Sequence, residues 1–196
     1  MIKSRPVFPK RAVVTGGMPY GNKPLHFGHV GAVFIQADTF ARFLKDRIGE
    51  ENVIFVSGMD CYGSMVLNAY LQSKEAGEFE GSIEDFTLQN YNVQKSALDK
   101  YQIDLSMYAA SSFGDGARTH EKMSELFFNK LYDKGYLTKM SVMQFYDNEK
   151  GVYLNGRQVS GQCPIVDCKS ENAYADECSL GHQFNPADLI NPISLL

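Results

Sequence analysis

The sequence has no long hydrophobic run, no secretory leader and no excess of positive charge. No apolar stretch approaches the roughly 18 residues that a membrane-spanning helix needs, and residues 1–6 are not followed by the apolar segment of a signal peptide. Lys and Arg total 19 against 23 Asp and Glu, which gives a net charge of −4. These absences predict a cytoplasmic protein that does not contact a membrane, and they argue against a domain held to nucleic acid by an overall basic surface.

Cysteine is also scarce, and its distribution is uneven. Of four cysteines, Cys61 stands alone, whereas the other three lie between residues 163 and 178. In a cytosolic chain such crowding favours a metal site over disulfides. What the chain does have is 44% hydrophobic residues among its 196, enough for a packed core.

The first half of the chain alternates predicted strands and helices. Residues 11–15 and 52–58 are short apolar runs typical of buried strands, and residues 28–48 between them carry apolar side chains at helical spacing. This order, with short connections, predicts a right-handed βαβ unit and a parallel sheet, with the helix ending near Gly49. The remaining predicted elements of this part are helices over 64–76, 83–101 and 116–134 and a third strand within 103–108.

The character of the chain changes after Gly135. Short segments with Tyr and Val over 143–159, separated by turn residues, predict a hairpin. We therefore expect an α/β fold, in which residues 1–112 form a partial Rossmann-like parallel sheet. Residues 113–196 are expected to form a small, cysteine-bearing second unit.

Residues 26–29 (HFGH) form the first motif that carries chemistry. They join the first predicted strand to the first predicted helix, where free N–H groups and the helix dipole favour a phosphate. His26 and His29 could direct ring N–H donors at one anion, and Gly28 would let a ligand approach the backbone closely. The alternative is that the two histidines are helix-capping or surface residues.

Asp60 follows the second predicted strand and forms the second motif. A carboxylate at this edge of a parallel sheet is well placed to accept charge-assisted hydrogen bonds from an ammonium group. The alternative is that Asp60 caps the helix predicted over 64–76.

A third motif combines three cysteines and a histidine within residues 161–184. Cys163 and Cys168 have C-x4-C spacing, and Cys178 and His182 have C-x3-H spacing. Four such ligands suit a closed, structural Zn²⁺ site, and metal binding would supply much of the folding free energy of so small a region. The alternatives are three reduced cysteines without a shared role, or a degraded site.

Residues 19–22 (PYGN) and the HFGH tetrapeptide together resemble class I aminoacyl-tRNA synthetases of the methionine type. The resemblance extends from about residue 11 to 194 and implies the first half of a catalytic domain, followed by a connective insertion with a zinc knuckle. It implies that His26 and His29 are catalytic. The residues implied to bind ATP are Tyr20, Asn22, His26, Gly28 and His29, and those implied to bind methionine are Gly17, Met18, Tyr20 and Asp60.

The chain departs from the family pattern in two places. Tyr62 stands before Gly63 where the family often has His, and the knuckle has wider spacing than the usual C-x2-C pairs. These departures raise the alternative of a divergent paralogue. They leave Asp60 and the count of four metal ligands intact.

The implied activity is ATP-dependent activation of methionine, with Mg²⁺ beside the ATP, and transfer of the amino acid to tRNA(Met). The family also needs a Lys-Met-Ser-Lys-Ser-type loop and an anticodon-binding helical domain, which residues 1–196 do not contain, so we expect the isolated chain to be inactive. The alternatives are a binding module for an amino acid or nucleotide without ligase activity, a zinc-dependent RNA-binding protein, and a class I synthetase for another apolar amino acid.

Overall fold

The computed structural model describes residues 7–168, 170 and 172–196. Residues 1–6 lie outside the described residues, and so does that part of the prediction that the chain has no secretory leader. Two positions within the predicted knuckle also lie outside them. The chain divides into two compact units, the first ending at Asn129 and the second comprising Lys130–Leu196. In the described part of the chain, no helix is both long and apolar enough to cross a membrane.

The first unit contains a three-stranded parallel sheet. Its strands are β1 (Ala12–Thr15), β2 (Val53–Met59) and β3 (Met107–Ala110), in the order β1-β2-β3. Both strand pairs are parallel, with Val14 opposite Phe55 in the first and Ser57 opposite Tyr108 in the second. The predicted parallel α/β arrangement is thus confirmed.

One continuous helical run joins β1 to β2. It consists of α1 (Phe27–His29), a π-helical segment (Val30–Phe34) and α2 (Ile35–Ile48). Gly49, predicted to end the helix, adopts a φ of 94° that suits glycine. The buried side chains of this run pack on the sheet. Together with residues from other elements they form the main core, which consists of Val14, Phe34, Ala41, Leu44, Val53, Phe55, Leu98 and Ile103.

Three further helices match the predicted ones within a few residues. They are α3 (Ser64–Glu75), α4 (Ile83–Lys100) and α5 (Gly114–Asp133). No residue of α5 is buried, and its large apolar side chains, such as Phe127 and Phe128, are at least 40% exposed.

The third strand begins later than the sequence predicts. The Asp104 N–H donates to the buried Asp38 carboxylate at 2.9 Å, and the Leu105 N–H donates to the Ile103 carbonyl at 3.1 Å. The backbone from 103 to 105 therefore turns instead of pairing with β2. Ile103 is buried as a core residue without being part of the strand.

The second unit consists of short elements. β4 (Tyr146–Asp147) and β5 (Val152–Tyr153) form the predicted hairpin, and β6 (Val159–Gln162) pairs antiparallel with β7 (Ile190–Ser194). Asn155, within the region 143–159 predicted to form the hairpin, caps a short 3₁₀ helix over Gly156–Gln158. The assignment of residues 113–196 to a connective insertion stays a prediction; the two compact units divide within α5.

Candidate functional site

Two loops that follow neighbouring strands are held together at the carboxyl edge of the parallel sheet. Residues 19–23 form the PYGNK loop after β1, and its Tyr20 makes a parallel bridge with Asp60, which follows β2. The Gly21 N–H donates to the Asp60 carbonyl at 2.7 Å, and the Asp60 N–H donates to the Pro19 carbonyl at 2.8 Å. Two of the predicted ligand-binding segments therefore lie side by side, at the edge where open α/β sheets bind ligands.

Asp60 is half-buried and organises its own loop. Its Oδ1 accepts the Tyr62 N–H at 3.0 Å. Helix α3 begins at Ser64 with Gly63 at its N-cap position, and it has no side-chain capping hydrogen bond. The alternative in which Asp60 caps this helix is therefore wrong.

The two histidines of the HFGH motif cap the helix start and stack on each other. The Gly28 N–H donates to His26 Nδ1 at 3.1 Å, and the His26 N–H makes a longer contact of 3.4 Å to His29 Nδ1. The ring centroids are 3.9 Å apart. Because Nδ1 accepts on each ring, the neutral imidazole carries its proton on Nε2. Capping and donation to a ligand therefore use different nitrogens of the same rings.

The charge state of His29 is biased toward neutral. Burial lowers the pKa of His29 below its ordinary value of 6.5, and the positive charges of His26 and Lys23 lower it further. At neutral pH the ring is therefore an uncharged hydrogen-bond donor.

Gly28 provides space that the histidine pair requires. A Cβ at this position would lie 2.9 Å from Cε1 and 3.1 Å from Nδ1 of the His26 ring, closer than side-chain carbons normally approach. Any larger residue would move this ring. The π-helical segment that starts at Val30 follows directly, and such segments are frequent at functional sites.

The residues predicted to contact methionine differ in exposure. The side chains of Met18 and Tyr20 are 51% and 48% exposed, and Gly17 is also exposed. Two further aromatic rings, Phe27 and Tyr62, are exposed as well. The sheet edge thus presents apolar side chains next to the half-buried carboxylate of Asp60.

Sequence reasoning missed two residues of α4 that hydrogen-bond to the backbone of the PYGNK loop. Asn90 and Gln94 of α4 are buried, and their amide groups donate to backbone carbonyls of that loop. The available signal was the spacing, since Phe86, Asn90 and Gln94 recur every four residues and so share the buried helix face. Two amides on a buried face need hydrogen-bond partners, and those partners lie about 70 residues away along the chain.

The second unit brings the four predicted metal ligands together. The ligand atoms of Cys163, Cys168, Cys178 and His182 all lie within 4.8 Å of one another. The Cys168 and Cys178 sulfurs are 3.9 Å apart, and His182 Nδ1 lies 3.3 to 3.8 Å from the three sulfurs. Tetrahedral Zn²⁺ with ordinary bond lengths requires about 3.8 Å between sulfurs and about 3.6 Å between sulfur and nitrogen. The residues present therefore fit a zinc ion.

The thiol environment differs within this cluster. Burial raises the pKa of Cys163, whereas for Cys178 hydrogen bonds outweigh burial and lower the pKa to about 6. The donors that lower it are the backbone of His182 and Leu180 and the thiols of Cys163 and Cys168. A thiolate is thereby favoured in the cluster, and metals bind thiolates.

Curated relatives resemble most of this chain but are much longer. The methionine–tRNA ligase of Bacteroides fragilis is 34% identical over 188 residues, which are 95% of this chain and 26% of the relative. Those of Cytophaga hutchinsonii and Chlamydia abortus are 34% and 30% identical over 96% of this chain, and 25% and 32% of their own lengths are covered. The chain therefore spans about a quarter to a third of the length of these relatives.

A solved structure supports the fold, and a family model supports the family. Mycobacterium tuberculosis methionyl-tRNA synthetase in complex with methionyl-adenylate aligns with a TM-score of 0.55 and 22% identity, over 77% of this chain and 27% of that one. The model described as class I tRNA synthetases (M) matches residues 12–196. Since this match covers nearly the whole chain, the protein belongs to the methionine-type family of class I tRNA synthetases.

Proposed function

We propose that the protein acts in the ATP-dependent activation of methionine and its transfer to tRNA(Met), as a methionine–tRNA ligase. Family membership and the relatives named as ligases support this proposal. The observation that carries it is the pairing of the PYGNK loop with Asp60 at the carboxyl edge of the sheet. The activity is proposed for the protein at its natural length, because these relatives extend well beyond the matched region. A cytoplasmic location remains a prediction.

The ATP site is proposed to lie at the start of the first helix. His26 and His29 would act as catalytic donors, their Nε2–H groups stabilising the charge that develops on the α-phosphate. The other proposed contacts come from Tyr20, Asn22 and Gly28. An uncharged imidazole can donate a hydrogen bond through its Nε2–H, and His29 is biased toward the uncharged form.

The methionine site is proposed to lie beside it. The Asp60 carboxylate would accept hydrogen bonds from the α-ammonium group, and Gly17, Met18 and Tyr20 would surround the rest of the amino acid. The half-buried position of Asp60 supports this role, since a charge-assisted hydrogen bond strengthens away from bulk water.

We further infer that Cys163, Cys168, Cys178 and His182 hold Zn²⁺ in a structural role. With four protein ligands no position would remain open for a substrate, so the ion would stabilise the fold of the second unit without taking part in the reaction. Mg²⁺ is proposed only as the partner of ATP.

Isothermal calorimetry and ATP–pyrophosphate exchange test the proposal. We expect methionine to bind, methionine-dependent exchange to occur in the natural-length protein, and Asp60→Ala to abolish methionine binding. Asp115→Ala, at a fully exposed aspartate, is the matched control. Absence of methionine binding by the natural-length protein would refute the proposal. RNA binding that survives Asp60→Ala but is lost on chelation would favour the RNA-binding alternative instead.

A further inference from the structure

A buried face of α4 supports the PYGNK loop. Phe86, Asn90, Gln94 and Leu98 recur every four residues along the helix, and all four are buried, Gln94 completely. A spacing of four places side chains on one helix face. Two of these side chains are amides, which cost free energy in a core unless they are hydrogen-bonded. Their partners therefore indicate their role.

Both amides donate to backbone carbonyls of the loop. Gln94 Nε2 donates to the Tyr20 carbonyl at 2.9 Å and to the Lys23 carbonyl at 2.8 Å. Asn90 Nδ2 donates to the Gly21 carbonyl at 3.0 Å. Three carbonyls of the five-residue loop are thereby directed toward α4.

The direction of these carbonyls fixes the direction of the loop's donors. In a trans peptide the C=O and the following N–H point in opposite directions, and the described chain contains no cis peptide. The Gly21 N–H follows the Tyr20 carbonyl, so it points away from α4 and donates to Asp60 at 2.7 Å. The Asn22 N–H follows the Gly21 carbonyl and also points away from the helix. The two amides thus orient the loop toward Asp60.

Tyr108 of β3 fixes the orientation of the Gln94 amide. Its hydroxyl donates to Gln94 Oε1 at 2.7 Å, while the Tyr91 hydroxyl donates to the Tyr108 carbonyl at 2.6 Å. Burial, followed by the proximity of Tyr91 and Cys61, raises the pKa of Tyr108, so this hydroxyl remains a donor. Since the oxygen of Gln94 faces that donor, its NH₂ group must face the loop.

We propose that Asn90 and Gln94, the latter oriented through Tyr108, are positioning residues that hold the PYGNK loop ready for methionine and ATP. The inference rests on the proposed function of that loop. The amides act through the loop backbone and do not touch the ligands. Loss of two hydrogen bonds, each worth about threefold in an equilibrium, would lower the equilibrium constant for the competent loop conformation by on the order of tenfold. The apparent affinity for both ligands, which follows the fraction of competent loop, would fall by up to the same factor.

Three variants of the natural-length protein test this. Gln94→Met keeps the length of the side chain and removes both donors, and Tyr108→Phe removes only the hydroxyl that orients Gln94. Gln89→Met, on the exposed face of the same helix, is the matched control. Hydrogen exchange of the Gly21 and Asp60 amides reports the loop directly. ATP–pyrophosphate exchange gives KM and kcat for methionine and ATP.

We expect Gln94→Met to accelerate exchange at Gly21 and Asp60 by about tenfold relative to amides of α2, and to raise both KM values by a similar factor with a smaller change in kcat. Tyr108→Phe should shift both measurements in the same direction by less, and Gln89→Met should change neither. Unchanged loop exchange and unchanged KM in a folded Gln94→Met protein would overturn the inference. If that variant does not fold, Tyr108→Phe decides by the same criteria.

The two proposals fail in different ways. If the parent protein shows no methionine-dependent exchange, the proposed function is wrong, yet the hydrogen-exchange comparison still decides whether the amides position the loop. If the parent protein is active but the Gln94 and Tyr108 variants match it in loop exchange and KM, only the positioning inference is wrong.

Discussion

The two compact units gain their stability by different means. The core of the first unit contains large side chains such as Phe34 of the helical run and Phe55 of β2, both completely buried. The core of the second consists of three aliphatic side chains, two alanines and two cysteines, Cys163 and Cys178. Those cysteines are also candidate metal ligands. Burial of apolar area can therefore sustain the first unit, whereas we expect the second to depend on the zinc proposed to bind its cysteines.

The largest expected effect follows from removing the metal site. Cys178→Ser should abolish stoichiometric zinc binding and unfold the second unit locally, because structural zinc contributes on the order of 10 kcal/mol. Hydrogen exchange should show lost protection over 159–190 and unchanged protection in α2. Metal content is measured by atomic absorption.

Cys61→Ser provides the control, because this buried cysteine belongs to the first unit and lies outside the cluster. It should leave the zinc content unchanged. If a zinc-free Cys178→Ser protein kept full protection in the second unit, the contrast between the two units would be wrong.

Creating a cavity in the core of the first unit should destabilise that unit and leave zinc binding intact. Phe34→Ala should lower the free energy of unfolding of the first unit by about 3–5 kcal/mol, since the ring is completely buried. Zinc content should not change. Thermal unfolding measures the loss, with Phe27→Ala, at an 88% exposed ring in the same helical run, as the control. Equal losses in the two variants would contradict the assignment of Phe34 to the core.

The difference between the units also explains what the sequence could predict. β1, the helical run and β2 are local patterns of apolar residues, so periodicity was sufficient to place them within a few residues. The knuckle was predictable because ligand spacing is a short-range property, and Cys163, Cys168, Cys178 and His182 do converge. Their binding of zinc remains a proposal.

Features that depend on distant partners could not be predicted. The third strand begins at Met107 because Asp38, in another element, accepts the Asp104 N–H. The role of Gln94 depends on carbonyls more than 70 residues away. A single sequence gives the spacing of such side chains on a helix but not what the opposite surface offers them.

A substitution at Gly28 is expected to have a smaller effect, and to change ATP binding more than stability. Gly28→Ala should displace the His26 ring and disturb the helix cap, which is typically worth about 1 kcal/mol. We expect a weakening of ATP binding by roughly fivefold, with a small change in unfolding temperature. Calorimetry with ATP measures the affinity.

Gly31→Ala is the matched control for this substitution. Its added Cβ would lie 3.4 Å from the nearest atom of the Phe27 ring, much less crowded than the 2.9 Å at Gly28. We expect ATP affinity close to that of the parent protein. Equal losses in the two variants would show that helix content, rather than the position of His26, governs binding.

The smallest expected effect is the pH dependence carried by His29. Its pKa is lowered in the folded protein, first by burial and then by the charges of His26 and Lys23. Above pH 6.5 the ring is neutral whether the chain is folded or not, so pH does not alter stability there. As pH falls below 6.5 the unfolded chain takes up the proton first, and the stability of the folded first unit decreases until the folded His29 also titrates.

NMR titration of the histidine ring protons measures this directly. We expect His29 to titrate below 6.5, and His26→Asn to raise its pKa only in part, because burial is the larger cause. A full return to 6.5 in this variant would show that charge repulsion dominates instead. No shift at all in the parent protein would mean that the ring is hydrated, and the argument for an uncharged donor at the ATP site would then lose its basis.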